Sequence, residues 1–146
     1  MEVLMAGEGV SVELYVEVQQ FYARQMQALD SGKYETFAET FTEDGLFTHT
    51  PTRPAASTRA GIVADLYDFH AGAATDPVQR RHWFNMITLV PLDDGTIEST
   101  LYALVLRTRP GGQPEVTFSG TARDVLVRLD GRLHNRSRTV THDGQR

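Results

Sequence analysis

The sequence predicts an α+β fold: a cone-shaped α+β barrel with three N-terminal helices packed on a strongly curved antiparallel sheet. Two observations predict it. Apolar residues recur at helical spacing only in the first half of the chain. The second half carries four long strand-like runs divided by tight-turn signals, and helices followed by a strand meander argue for segregated layers. A length of 146 residues fits one domain, expected over 1–146 with a core at about 11–141 and loose ends at 1–9 and 142–146.

Ser11 caps a first helix to about Leu29, with Val12, Tyr15, Val16, Tyr22, Met26 and Leu29 on its apolar stripe. Asp30-Ser31-Gly32 ends it. Tyr34, Phe37, Ala38 and Phe41 mark a second, short helix, and Thr42-Glu43-Asp44-Gly45 reads as a turn. Leu46 to Thr50 is a short strand that contains His49. Pro51 and Pro54 bracket a loop. Ser57 or Thr58 caps a third helix to about Ala71, with Ile62, Val63, Leu66, Tyr67 and Phe69 on its buried side. Strands follow at about 80–91, 96–109, 114–129 and 132–141. Asp93-Asp94-Gly95, Pro110-Gly111-Gly112 and Asp130-Gly131 turn the chain between them.

Composition removes several function classes. The net charge of −5 gives nucleic-acid binding no electrostatic support. There is no cysteine, which excludes thiol nucleophiles, disulfides and thiolate metal sites and fits a cytoplasmic location. The basic residues are 13 arginines and one lysine, Lys33, which lies in a polar turn where nothing would activate it as a Schiff base. No apolar run is long enough to span a membrane, and the start lacks the basic and apolar segments of a signal peptide. His70, His134 and His142 have no partners at ligand spacing, so no metal site is expected. Phosphate-loop and nucleophile-elbow motifs are absent as well.

His82 is the leading candidate for chemistry. It lies in the run Arg80-Arg81-His82-Trp83-Phe84-Asn85-Met86, and imidazole titrates near working pH. Read by strand alternation, His82, Phe84, Met86 and Thr88 share one face, and Trp83, Asn85, Ile87 and Leu89 the other. Both faces are apolar, so one should take the helices and the other a second copy of the chain, as a homodimer through the sheet. A buried histidine satisfied by a backbone carbonyl is the competing reading. Asp30 could orient an imidazole and stabilise its cation, although Asp-Ser-Gly is also an ordinary helix-ending turn. Tyr102 could donate its phenol to an enolate oxygen. Arg123 or Arg107 could hold an oxyanion.

Ala28 to Phe37, and then Phe41-Thr42-Glu43-Asp44-Gly45-Leu46-Phe47, resemble the opening of SnoaL-like proteins of the nuclear transport factor 2-like superfamily. Gln79 to Asn85 resembles the strand that carries a histidine in that group and in scytalone dehydratase. Gly120 to Gly131 with Arg138 resembles its last hairpin. The likeness covers roughly 11–141. It implies a cone-shaped pocket, a homodimer, and a cofactor-independent dehydratase or cyclase of polyketide-like carbonyl compounds. It places Asp30 where the dehydratase carries a pocket aspartate, and His49 at or beside a pocket tyrosine. The sequence departs from the dehydratase at two points. Leu104-Val105-Leu106-Arg107 lacks its second histidine, and its asparagine falls near Ala122.

The expected roles follow. His82 removes a proton alpha to a carbonyl, Asp30 orients it, and His49 or Tyr102 serves the departing hydroxyl or the enolate. Tyr15, Phe21, Phe69, Phe84, Met86 and Arg123 shape the cavity. The alternatives are a non-catalytic subunit like the β subunits of ring-hydroxylating dioxygenases, a ligand-binding module, or epoxide hydrolysis or cyclisation.

Overall fold

The computed structural model describes residues 10–50 and 53–144. The expectations for 1–9 and for the loop at Pro51 lie outside them. Helix α1 (Val12–Asp30) starts at Ser11, whose hydroxyl accepts the Leu14 N–H at 3.0 Å, a normal N-cap. Its buried stripe is Val18, Phe21, Tyr22, Gln25, Met26 and Ala28. Val12 and Val16, expected on that stripe, are exposed. Helix α2 (Tyr34–Ala38) buries Phe37 and Ala38. Helix α3 (Thr58–Phe69) buries only Ile62 among the described residues, and Tyr67 and Phe69 stay more than half exposed. At its start the Thr58 hydroxyl accepts the Gly61 N–H.

Six strands form one open sheet in the order β2-β1-β6-β5-β4-β3. They are β1 (Phe41–Thr50), β2 (Ala56–Ser57), β3 (Gln79–Pro91), β4 (Ile97–Thr108), β5 (Glu115–Leu129) and β6 (Arg132–His142). The last four form the expected antiparallel meander. The sheet is not antiparallel throughout, because β1 runs parallel to β6. Residues 42–45 are not a free turn but an irregularity within β1, where the register shifts between Phe41 and Leu46. Gly45 is needed there: a Cβ would come within 2.9 Å of Phe41 Cβ. The chain near 142–144 is not loose either. Asp143 N–H donates to the Ser119 carbonyl at 2.9 Å, and its carboxylate accepts the Ser119 hydroxyl at 2.7 Å.

The core has two parts. Val18, Phe21 and Tyr22 of α1 pack with Ile87, Leu101, Ala122, Leu126 and Val140 of the sheet. Met26 and Ala28 pack with Phe37, Phe41 and Ile62. A fully buried polar network runs between α1 and the sheet. Arg138 donates twice to Asp124, from Nε and from a terminal nitrogen, both at 2.9 Å. The same terminal nitrogen donates to Gln25 Oε1, and the Tyr22 hydroxyl lies 2.7 Å from Asp124 Oδ2. Buried charges persist when each is matched and hydrogen-bonded, as here.

Alternation along β3 breaks once, with consequences for the site. Met86 adopts φ 56°, and the register with β4 shifts between Asn85 and Thr88. The extra residue of this bulge reverses facing beyond it. Ile87 is therefore buried and Met86 is 67% exposed, opposite to the expectation from uninterrupted alternation.

Candidate active site

Helix α1 ends directly under β3, which brings its last residue to the sheet. Asp30 Oδ1 lies 2.6 Å from His82 Nδ1, and Oδ2 accepts the His82 backbone N–H at 3.0 Å. The carboxylate thus grips both the ring and the backbone of one residue. A carboxylate can only accept, so Nδ1 carries the proton and Nε2 remains for a bound molecule. Asp30 accordingly does more than close a turn.

His82 opens onto a cavity of about 370 Å³, within the range of small-molecule sites. Phe37, Phe47, Phe84, Val105 and Phe118 give it apolar walls, and His49, His70 and four arginines add polar groups. His49 comes from β1 and stacks on Phe47 with ring centres 4.8 Å apart. Burial, followed by the charge of Arg53, holds its pKa below 6.5 and favours the neutral ring. It faces the cavity rather than a solvent edge. His70 is shifted the same way by burial and lies stacked on Tyr34. The Arg138 guanidinium closes the inner end, 4.8 Å from the Phe84 ring centre.

Of the residues read from the sequence, the structure gathers His82, His49, Phe84 and Phe69 at this cavity, with Asp30 bonded to His82. Phe69 is 56% exposed and stands at its mouth. Five others must be corrected. Tyr102 pairs with Asn85 in the β3–β4 ladder and so points to the outer face, where it is 65% exposed. It cannot serve a molecule beside His82. Arg123 lies on the same outer face, with Glu98 as its neighbour at 3.9 Å. Met86 is turned away by the bulge. Phe21 is packed in the core, and the Tyr15 hydroxyl reaches the Ile87 carbonyl at 3.5 Å instead of the cavity. Arg107, the other arginine considered, does line the cavity. The sequence reading missed Arg53, Arg80 and Asp65. Arg80 shares parity with His82, which was a usable signal; the α3 carboxylate had none.

The open sheet and its helices thus hold a histidine–carboxylate pair beside an apolar cavity. The SnoaL-like domain profile matches residues 10–139, and the chain belongs to that family. It is similar to ActVI-ORFA from Streptomyces coelicolor, at 50% identity and a TM-score of 0.87, over 92% of this chain and 100% of that one. A protein from Catenulispora acidiphila, solved in complex with S-DNPA, is 50% identical with a TM-score of 0.83, over 92% and 96% of the two chains. The anthranilate 1,2-dioxygenase small subunit of Burkholderia cepacia is 24% identical, over 92% of this chain and 90% of that one.

Proposed function

We propose that the protein is a cofactor-independent dehydratase or cyclase acting on a polycyclic, carbonyl-bearing, polyketide-like compound of secondary metabolism. The observation that carries this reading is the Asp30–His82 pair opening onto an apolar cavity. Its membership of the SnoaL-like family and the likeness to a neighbour solved with a small molecule support it.

His82 Nε2 takes the proton from the carbon alpha to the carbonyl, and the C–H electron pair passes into an enolate. Asp30 stabilises the imidazolium so formed, as a triad aspartate does. His49, kept neutral by burial, donates its N–H to the enolate oxygen. The enolate then expels a hydroxyl from the beta carbon, which leaves as water with the proton returned by His82. In a cyclase the enolate carbon instead attacks a second carbonyl, and the alkoxide so formed takes the proton back from His82. Such acid–base assistance contributes about 10²–10⁴-fold.

The test is wash-in of solvent deuterium alpha to the carbonyl of a bound tetralone, followed by NMR. His82→Gln is expected to slow it by at least about 10²-fold. Exchange within a few-fold of wild type in a folded variant rejects the mechanism.

The same proposal includes a cytoplasmic homodimer. Trp83, Tyr102 and Val116 are 59%, 65% and 62% exposed on the outer sheet face, a surface suited to a second copy. Light scattering on wild type and on Trp83→Arg reads this: a monomeric wild type removes the dimer from the proposal.

The dioxygenase small subunit favours a second reading, a non-catalytic subunit. The cavity beside His82 weighs against it. Epoxide opening ranks lower still, because Asp65, the carboxylate lining the cavity, is held by Arg53.

A further inference from the structure

The charged lining of the cavity is one-sided, with Arg53, Arg80, Arg107 and Arg138 against Asp65. Three of the four meet a carboxylate: Arg138 meets Asp124, Arg53 meets Asp65 and Arg107 meets Glu115. Arg80 and Arg107 stand directly opposite each other in the β3–β4 ladder, on the face of His82. Like charges at opposed positions destabilise an antiparallel pair. Arg107 gives one terminal nitrogen to Glu115 at 3.2 Å, but its Nε is buried without a hydrogen-bond partner. Arg80 has no ion pair among the described residues, and its guanidinium lies 5.9 Å from the ring centre of Phe69. A buried donor left unmatched beside an unpaired like charge costs stability, and one small anion would relieve both.

We infer that Arg80 and Arg107 form an anion subsite that takes a carboxylate carried by the substrate. The aromatic body then lies along Phe84 and Val105, toward Arg138. Two residues along a strand span about 7 Å, so Arg80 stands one inward-facing position from His82 along β3, with the acidic arm beside the reacting carbon. The substrate class is thereby narrowed to polycyclic carbonyl compounds with an acidic side arm. The placement of the reacting carbon rests on the proposed function; the charge recognition does not.

The experiment compares 3-(2-naphthyl)propionate with its primary amide by isothermal titration calorimetry at pH 7.5. The two probes match in shape and differ in charge. The acid is expected to bind at least about tenfold tighter, with the advantage shrinking as salt rises. Arg80→Gln and Arg107→Gln should each lose most of that advantage, and His82→Gln should keep it. Arg80 is a half-buried strand residue near the mouth, so its variant serves if Arg107→Gln fails to fold. Equal binding of acid and amide, no binding of the acid at millimolar concentration, or a preference that survives both arginine changes overturns the subsite. A preserved preference with no deuterium wash-in would instead reject the catalytic reading alone.

Discussion

Asp30 and His82 are joined by two hydrogen bonds, one to the ring and one to the backbone, across 52 positions of sequence. The backbone bond fixes where the residue sits, and the ring bond fixes which nitrogen carries the proton. Asp30→Asn offers an amide oxygen or an amide N–H to Nδ1 and no negative charge. It is expected to lower kcat by about 10²-fold or more with little change in KM. A loss confined to KM would mean that Asp30 only shapes the binding surface.

The Arg138–Asp124 pair is side-chain buried to 1% and 0% exposure. Asp124→Ala leaves a buried guanidinium without its counter-charge and should destabilise by about 3–5 kcal/mol in urea unfolding. The double change Arg138→Met with Asp124→Leu should fall well short of the summed single effects. Additive losses would show that the two side chains act independently.

His49 and His70 both have folded pKa values below their ordinary 6.5, with burial as the main cause. Above that value both states are neutral and the full stability is present. Below it the unfolded chain binds protons first, so stability is lost as pH falls from 6.5 toward the lower folded values. Thermal unfolding between pH 7.5 and 5 should show this slope, reduced in His49→Gln/His70→Gln. An unchanged slope in the double variant would assign the effect to other groups.

Met86 is held at φ 56°, where a β-branched side chain is more strained than a flexible one. Met86→Val should cost about 1–2 kcal/mol, and Met86→Gly should stay within about 1 kcal/mol of wild type. Chemical denaturation gives the order; Val as stable as Gly would mean that the bulge relaxes away.

The helix-then-meander plan was legible because each pattern has its own period and each turn its own residues. The four strands of the meander came within about two residues of their observed ends, whereas β1 starts at Phe41 rather than Leu46 and β2 was not expected. Face assignment held only as far as alternation did. His82 and Phe84 precede the bulge and face the cavity, while Met86, at the bulge, does not. Tyr102 failed for a different reason: its face depends on pairing register with β3, which no single strand reveals. The parallel β1–β6 pairing was equally hidden, since parallel and antiparallel neighbours read alike in sequence. Asp30 could be singled out beside the helix end, but its hold on the backbone of His82 depends on where β3 crosses.

The parallel pairing of β1 with β6 also constrains the order of events during synthesis. Phe47 and His49 come from the first of these strands, Arg138 and Val140 from the last. Gln25 meets Arg138 across 113 positions of chain. A nascent chain can form α1 and α2 early, yet β1 has only the short β2 to pair with until β6 leaves the ribosome. Long-range closure of this kind is slow and leaves an apolar edge exposed meanwhile. The cavity is thus completed only when β6 is in place, and a chain cut before β6 lacks the wall that Arg138 and Val140 supply.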